Sequence, residues 1–246
     1  MKWYRADLHV HSVLSPCGDL DMSPTRIIRE AKQKKLDIIG ISDHNTSLHA
    51  ELMVELGKKE GIVVFPGVEI STLEEVHCLA FFETIEATKT FQKFLDEHSA
   101  QIANNPSRFG EQFVVNEKEE IIGEVEDLLI MGLTASIEEV ERKVHSLKGV
   151  FIPAHIDRKI TSIFSQIGFI PPGLQIDALE FSAATSRETV LNQRPELETY
   201  SLITNSDSHY PDQLGRAFTE YYLQEPSFNE WKMALNNIEG RKIRTK

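Results

Sequence analysis

The sequence predicts an α/β fold with a mostly parallel sheet or barrel, and three observations support this class. Short apolar runs alternate with amphipathic stretches along the chain, as strands alternate with helices in such folds. The 246 residues are 41% hydrophobic, which is enough for one large domain with a sizeable core. Polar, metal-competent side chains recur where apolar runs stop, and the C-terminal strand ends of an α/β barrel open onto one face.

The predicted elements begin with a strand over 3–9 and a loop over 12–22. Ser23-Pro24 then predicts an N-cap and a first-turn proline for the first helix, which carries Ile27 and Ile28 on one side. The further predicted strands cover 36–42, 62–70, 76–82, 150–154, 177–181, 202–204 and 218–223. The further predicted helices cover 47–60, 85–102, 137–147 and 227–238.

Residues 103–135 are the segment with the fewest strand signals, and they include an acidic stretch from Glu117 to Asp127. We expect an inserted helical or lid-like region there, within a single domain over 1–246. A lid beside an active face excludes water and shapes specificity.

Composition limits the possible partners. The formal net charge of −12 disfavours extended, sequence-blind duplex binding, but it is compatible with a small phosphorylated substrate or a short oligonucleotide.

Cys17 and Cys78 form at most one disulfide, which excludes a disulfide framework and a cysteine-rich zinc site. The N-terminus lacks an apolar signal core, and no apolar run is long enough to span a membrane. We expect a cytoplasmic protein; the oligomeric state is left open.

The candidate site residues start with His9 and His11, which share one face of the first strand because residues i and i+2 of a strand point the same way. Asp19 lies in the loop that follows. The other candidates, each near the end of an apolar run, are His44, Glu69, His77, His155, Asp207 and His209. The remaining histidines, at 49, 98 and 145, lie in predicted helices and are expected to be solvent-facing or packing residues.

The types and number of candidate ligands limit the choice of metal ion and of reaction mechanism. Imidazole and carboxylate groups together suit Zn, Mn or Fe. Nine ligands are too many for one ion, so two to three divalent ions that share Glu69 fit the count better. Clustered divalent ions hold a phosphoryl group and lower the pKa of a bridging water, which then attacks as hydroxide. No side-chain nucleophile is required, and neither Ser12 nor Cys17 has a dedicated base beside it in the sequence.

The ordered motifs resemble those of the PHP (polymerase and histidinol phosphatase) family. They are Ala6-Asp7-Leu8-His9-Val10-His11-Ser12, Ser42-Asp43-His44-Asn45, Gly67-Val68-Glu69-Ile70-Ser71, the single His77 and His155, and Asn205-Ser206-Asp207-Ser208-His209. The resemblance implies a distorted (β/α)7 barrel with parallel strands, a trinuclear metal site at the C-terminal strand ends, and phosphoesterase activity.

The resemblance also implies ligand assignments. His9, His11, Glu69 and Asp207 would hold one ion; Glu69, His77 and His155 a second; and His44, His209 and a loop residue the third. The loop residue is assigned to Asp19, with Asp21 as the alternative.

Residues beside the ligands have expected roles as well. Asp43 precedes a ligand and is expected to orient a neighbouring imidazole, with a role as a ligand itself as the alternative. Arg158 is the candidate for gripping a substrate phosphate by two hydrogen bonds, with Arg187, Arg194 and Arg216 as further candidates.

The expected function is metal-dependent hydrolysis of a phosphorylated small molecule, a nucleotide or an oligonucleotide end. Three alternatives stay open: a histidinol-phosphate phosphatase, a non-catalytic metal-stabilised binding module, and C–N bond hydrolysis as in amidohydrolase barrels. Against the last, Asp207-x-His209 fits the PHP pattern better, and no lysine stands at a strand end.

Overall fold

A curled, seven-stranded mixed sheet organises the chain in a computed structural model that describes residues 1–245. In spatial order its strands are β11 (Lys242–Thr245), β10 (Thr219–Leu223), β1 (Lys2–Val10), β2 (Ile38–Ile41), β3 (Val63–Ser71), β4 (His77–Phe81) and β7 (Val150–Pro153). Two smaller sheets contain β5 (Phe113–Val115) with β6 (Ile121–Glu124), and β8 (Leu179–Phe181) with β9 (Leu202–Thr204). The predicted α/β class is confirmed.

Helices connect most of these strands. They are α1 (Pro24–Gln33), α2 (Ala50–Glu60), α3 (Ile85–Glu97), α4 (Pro106–Phe109), α5 (Ile137–Ser146), α6 (Ile163–Gln166), α7 (Arg187–Gln193) and α8 (Phe228–Leu235), with 3-10 turns at Pro195–Thr199 and Ile238–Gly240. Ser23 caps α1 by accepting from the Arg26 amide, and Gly61 ends α2 with a φ of 76°. No helix in the described part of the chain is both long and apolar enough to cross a membrane.

The prediction of a mostly parallel sheet or barrel is correct for only part of the sheet. β1, β2 and β3 are parallel, but β4 runs antiparallel to both β3 and β7, and β10 runs antiparallel to β1 and β11. Only five residues separate β3 from β4, whereas a parallel crossover needs a dozen or more. The sheet is therefore mixed.

The strand directions bring the candidate ligands to the same end of the sheet, where β1, β2 and β3 terminate. His77 stands at the start of β4 and pairs with Ser71 at the end of β3, so an antiparallel strand reaches the same edge as its neighbour's C-terminal end. Val10 bridges Ser208 in parallel, and the His11 amide donates to the Ser208 carbonyl at 3.0 Å. The segment after β9 therefore lies beside the end of β1.

The Phe81 side chain explains two glycines in the neighbouring strands. A Cβ at Gly67 would lie 2.3 Å from Phe81 Cδ1, and one at Gly40 would lie 2.6 Å from Phe81 Cε1. Both distances are far inside van der Waals contact. Phe81 is fully buried and packs edge-on against Trp231 of α8, so the glycines make room for a core aromatic ring.

The segment over 103–135 differs from the predicted helical insertion. Its one helix, α4, is a single turn, and its main element is the β5–β6 hairpin. The amide of Asn45 anchors the end of the segment by donating to the carbonyls of Leu129 and Met131 at 2.7 and 2.8 Å. A lid function for this segment stays a prediction.

Candidate metal centre

The Glu69 carboxylate is the centre of the candidate site. β3 lies between β2 and β4 in the sheet and carries Glu69 near its C-terminal end. The residue is only 1% exposed. Five imidazole rings surround its two oxygens at 2.9–3.2 Å, namely His9, His11, His44, His77 and His155. The structure thus brings together residues from β1, β3, β4 and the segments after β2 and β7.

Asp207 supplies a second carboxylate to the same cluster. Its Oδ1 lies 3.4 Å from Nε2 of both His9 and His11, and 3.6 Å from Nδ1 of His209. Asp207 has a φ of 50°, and His155 has a φ of 30°. Non-glycine residues rarely adopt such values, and strained backbone of this kind concentrates at functional sites.

The unpaired nitrogen atoms of this cluster fit a bound cation. The buried Nε2 atoms of His9 and His11 and Nδ1 of His44 have no hydrogen-bond partner. Buried polar atoms normally have partners because leaving them bare costs roughly 1–3 kcal/mol each. Three sets of donor atoms lie close enough to hold an ion: His9, His11, Glu69 with Asp207; His44, Glu69 with His77; and His11, His44 with His209. Nitrogen and carboxylate donors suit Zn, Mn or Fe.

The electrostatics of the cluster also favour positive charge near its carboxylates. Burial by itself lowers the pKa of His9, but Glu180, Glu69 and Asp207 raise it well above its usual range. Burial also lowers the pKa of His11, but the adjacent carboxylates of Asp207 and Glu69 raise it to about 9. Burial raises the pKa of Glu69, but the facing imidazoles bring it well below its usual range. A divalent cation is favoured by the same field.

His44 and His209 differ from this pair. Burial lowers the pKa of His44 well below its usual range, and burial together with His11 lowers that of His209 to about 4. Both rings are therefore neutral, which is the form in which imidazole binds metals.

Glu180 orients the His9 ring and was not predicted from the sequence. Its carboxylate oxygens lie 3.0 and 3.1 Å from Nδ1 of His9, and they also accept from the Asn205 amide at 2.8 Å and the His155 backbone N–H at 3.0 Å. With Nδ1 directed at Glu180, Nε2 of His9 faces Glu69 and Asp207. A charged residue inside the apolar run Leu179-Glu180-Phe181 was the available sequence signal.

Asp43 acts on the neighbouring imidazole of His11 through a serine. Its Oδ1 accepts from the Ser15 hydroxyl at 2.7 Å, and the Ser15 oxygen lies 3.1 Å from Nδ1 of His11. Asp43 Oδ2 accepts from the Ser12 hydroxyl at 2.7 Å. The Ser12 oxygen also lies 2.7 Å from Nδ1 of His49, which is 37 residues away in the sequence.

Asp7 holds the loop that carries Asp207. Its carboxylate is fully buried and accepts from the backbone N–H groups of Ser206 at 3.0 Å and Gly215 at 2.8 Å. Burial raises the pKa of Asp7 to about 6.

The loop after β1 places Asp19 near the site but outside the three donor sets. The Asp19 amide donates to the His209 carbonyl at 2.8 Å, and its side chain accepts from the Asp21 amide at 2.9 Å. Its role as a ligand stays a prediction.

Cys17 lies in the same loop, and desolvation together with the Glu69 charge raises the pKa of its thiol, which keeps it protonated.

Arg158 lies beside the candidate ligands. Its guanidinium pairs with the Asp207 carboxylate, and it lines an open cavity of ≈ 610 Å³ together with Lys159 and Arg216. The other arginines predicted as candidates lie elsewhere. Arg194 stacks 3.6 Å over the Phe164 ring, and Arg187 lines a separate cavity with Asp177 and Glu198.

Comparison with known proteins identifies the family. The family model described as the PHP domain matches residues 7–156, which is more than half of the chain. The chain therefore belongs to the PHP domain family, as the motifs predicted.

Two of the similar proteins, YqxK and endonuclease Q, are longer than this chain. The uncharacterised protein YqxK of Bacillus subtilis is 26% identical over 99% of the chain, and the match covers 64% of YqxK. The lesion-specific endonuclease PfuEndoQ of Pyrococcus furiosus has the same fold over 98% of the chain and 57% of its own length, with a TM-score of 0.75 and 20% identity. A second endonuclease Q structure, with a TM-score of 0.72, 20% identity and coverage of 98% and 58%, contains a 27-mer duplex substrate with an abasic lesion at the active site.

A smaller structural neighbour has a comparable length. It is a putative metal-dependent phosphoesterase from Bifidobacterium adolescentis, with a TM-score of 0.55, 19% identity and coverage of 83% of this chain and 87% of that one. At these identities the solved structures establish the shared fold alone. The chain spans less than two thirds of YqxK and endonuclease Q.

Proposed function

We propose that this chain is a metal-dependent phosphoesterase that cleaves a phosphodiester in nucleic acid. One observation carries the proposal: the buried Glu69–Asp207 cluster, with its unpaired imidazole nitrogens, lies directly beside an open cavity lined by three cationic side chains. Divalent ions in the cluster would polarise a phosphoryl group and activate water. The cations would hold the neighbouring backbone phosphates.

The proposed ligand roles follow the family motifs, and the first of them coincides with a donor set among the described residues. His9, His11, Glu69 and Asp207 would hold one ion. Glu69 with His77 and His155 would hold a second, and His44 with His209 and Asp19 a third. Two to three ions are proposed, with Zn, Mn or Fe as candidates; the (β/α)7 count of the barrel is likewise part of the proposal.

Arg158 is proposed to bind the scissile or adjacent phosphate. Its guanidinium already reaches a carboxylate of the cluster, and Lys159 and Arg216 line the same cavity, where Asp157 is the one acidic residue of the lining. Three cations fit a substrate with several phosphates better than a single small phosphate. The net charge of −12 does not decide against this substrate, because the local charge at the cavity is positive.

The expectation that extended duplexes are excluded has no support, since endonuclease Q, a neighbour of the same fold, takes a duplex substrate. The likeness over 98% of the chain favours a nucleic acid as the substrate class.

The test is hydrolysis by the metal-loaded chain of a substrate panel. Protein loaded with Mn, Zn or Fe is assayed on an aryl phosphomonoester, histidinol phosphate, single-stranded oligonucleotides, and duplexes with and without an abasic site. We expect cleavage of the oligonucleotides, and loss of at least about 100-fold in kcat/KM in Asp207→Asn and Glu69→Gln. His98→Asn, at the C-terminal end of α3 and outside the donor sets, is the matched control and should retain activity.

The other candidate functions make different predictions in the same panel. A rate on histidinol phosphate above that on every oligonucleotide would replace the proposal with the narrower phosphatase. Stoichiometric metal binding without turnover of any ester would replace it with the non-catalytic binding module. Activity that survives in both carboxylate variants would refute the assigned site.

A further inference from the structure

A buried line of hydrogen bonds runs from the candidate metal cluster to the insertion hairpin, which is formed by β5 and β6. At the hairpin end, the Val115 backbone N–H donates to Nε2 of His49 at 3.0 Å, and Nδ1 of His49 lies 2.7 Å from the Ser12 hydroxyl oxygen. The Ser12 hydroxyl donates to Asp43, and Asp43 accepts from Ser15, whose oxygen lies 3.1 Å from Nδ1 of His11. Every residue in the line is buried.

The direction of each hydrogen bond follows from its two ends. A backbone N–H only donates, so Nε2 of His49 accepts; burial lowers the pKa of His49, and the neutral ring then carries its hydrogen on Nδ1. Nδ1 donates to Ser12, and the Ser12 hydroxyl donates to the Asp43 carboxylate, which only accepts. His49 therefore acts as a donor to Ser12 and cannot serve as its general base.

The other end of the line has an equally defined direction. Because the Ser15 hydroxyl donates to Asp43, its oxygen must accept the hydrogen of Nδ1 of His11. His11 is left with Nε2 facing Glu69 and Asp207. The network thus sets which nitrogen of His11 is free for a metal ion.

The hairpin itself has few other buried contacts. β6 is exposed along its whole length, with Ile121 and Ile122 at 60% and 65%, and Val115 is the one buried residue of the two strands. Outer contacts hold its turn: the Ser23 hydroxyl donates to Glu119, the Thr25 hydroxyl donates to the Glu117 carbonyl at 3.0 Å, and an exposed tether joins Lys59 to the Glu117 carboxylate at 2.8 Å. Segments with so few buried contacts open at low free-energy cost. The Val115–His49 hydrogen bond is therefore a buried anchor of a weakly held element.

We propose that His49 is a positioning residue that couples docking of the insertion hairpin to metal binding at His11. When the hairpin is docked, the network holds the His11 ring in its metal-binding orientation; by thermodynamic reciprocity, metal binding in turn stabilises the docked hairpin. This coupling rests on the proposed function only in that the cluster binds a divalent ion.

The test uses two variants that cut the network at different atoms. Ser12→Ala removes the oxygen that joins His49 to Asp43, and His49→Leu removes both ring nitrogens. Mn²⁺ affinity is measured by calorimetry, and hydrogen exchange of peptides over 111–126 is measured by mass spectrometry on the whole chain, with and without Mn²⁺. In the wild type, we expect Mn²⁺ to slow exchange of the hairpin several-fold.

Both variants should bind Mn²⁺ about tenfold more weakly, as is typical when an outer partner of a ligand is lost, and their hairpin exchange should no longer respond to Mn²⁺. Lys59→Ala is the matched control, because it loosens the exposed tether and leaves the buried network in place. Hydrogen exchange of the hairpin should rise both with and without Mn²⁺. The slowing of exchange by Mn²⁺ and the affinity for Mn²⁺ should stay as in the wild type.

Several outcomes would overturn the coupling. Wild-type affinity and an unchanged response to Mn²⁺ in both variants would refute it while leaving the proposed function intact. Exchange that accelerates as much in α8 as in the hairpin would assign His49 a general folding role instead. A wild-type chain that binds no Mn²⁺, Zn²⁺ or Fe²⁺ would overturn the proposed function and the coupling together.

Discussion

Nδ1 of His9 lies 3.0 Å from Oε2 of Glu180, and both side chains are buried. This contact joins the end of β1 to β8 through two residues that are 171 positions apart in the chain. It directs the opposite ring nitrogen of His9 at Glu69 and Asp207. The relationship makes Glu180 the strongest candidate among residues that orient a ligand without belonging to a donor set.

Glu180→Gln should weaken metal binding by about 10–100-fold, because the His9 ring loses the charged acceptor that fixes its tautomer. The amide keeps nearly the same size, so the fold should survive. Calorimetric titration of the metal-free protein with Mn²⁺ measures the effect. Glu188→Gln, which changes an exposed carboxylate in the first turn of α7, is the control. Equal affinities in the two variants would contradict the role of Glu180.

Arg158→Ala should raise the KM for an oligonucleotide roughly tenfold or more, because a charged hydrogen bond to phosphate is lost. The metal content, measured by elemental analysis, should not fall. Arg194→Ala removes a guanidinium that stacks on Phe164 instead, and it should leave KM unchanged. A KM for Arg158→Ala within twofold of the wild-type value would exclude the phosphate-binding role.

Removal of metal should lower the stability of the chain. An ion that binds only the folded state at 100 times its Kd contributes about 2.7 kcal/mol, and the unpaired nitrogens of His9 and His11 gain partners. Thermal unfolding with EDTA and with added Mn²⁺ measures the difference. The Glu69→Gln, Asp207→Asn double variant should show no shift on addition of Mn²⁺; a shift equal to that of the wild type would locate the stabilising ion elsewhere.

His145 should contribute stability that depends on pH. Its ring contacts Asp177 at 2.9 Å and Glu141 on α5, and the hydrogen bond to Asp177, opposed by partial burial, raises the pKa of His145. A raised folded-state pKa means that the stabilisation is complete below the unfolded value of about 6.5 and is lost as pH rises through the folded value.

The free energy of unfolding of the wild type minus that of His145→Gln measures this contribution, since groups common to both proteins cancel. We expect a difference of about 0.5–1 kcal/mol at pH 6 that declines as the pH rises through the raised pKa of His145. A difference that is constant with pH would show that packing, not charge, accounts for the role of His145. The sequence reading of this histidine as solvent-facing or packing missed its two carboxylate partners.

Local patterns predicted most of the fold. The Ser23-Pro24 cap, the helix over 137–147 and the early apolar strands all appear within a few residues of their predicted bounds. Strand direction was not predicted for β4, because an apolar run has the same composition whichever way it points. The β5–β6 hairpin escaped detection as well, since β6 is exposed on both faces and lacks the alternation that marks a half-buried strand.

The sequence by itself determined the family and the identities of the candidate ligands, because metal-competent side chains recur after apolar runs in a fixed order. Only the tertiary structure decided which atoms meet: five imidazoles around Glu69, Glu180 behind His9, and His49 between the hairpin and Ser12. The physical reason is that the spacing of ligands such as His9 and His11 follows from the alternation of side chains along one strand, so a single segment of sequence is enough to predict it. The partners that orient those ligands come from segments distant in the chain, and their contacts form only in the folded sheet.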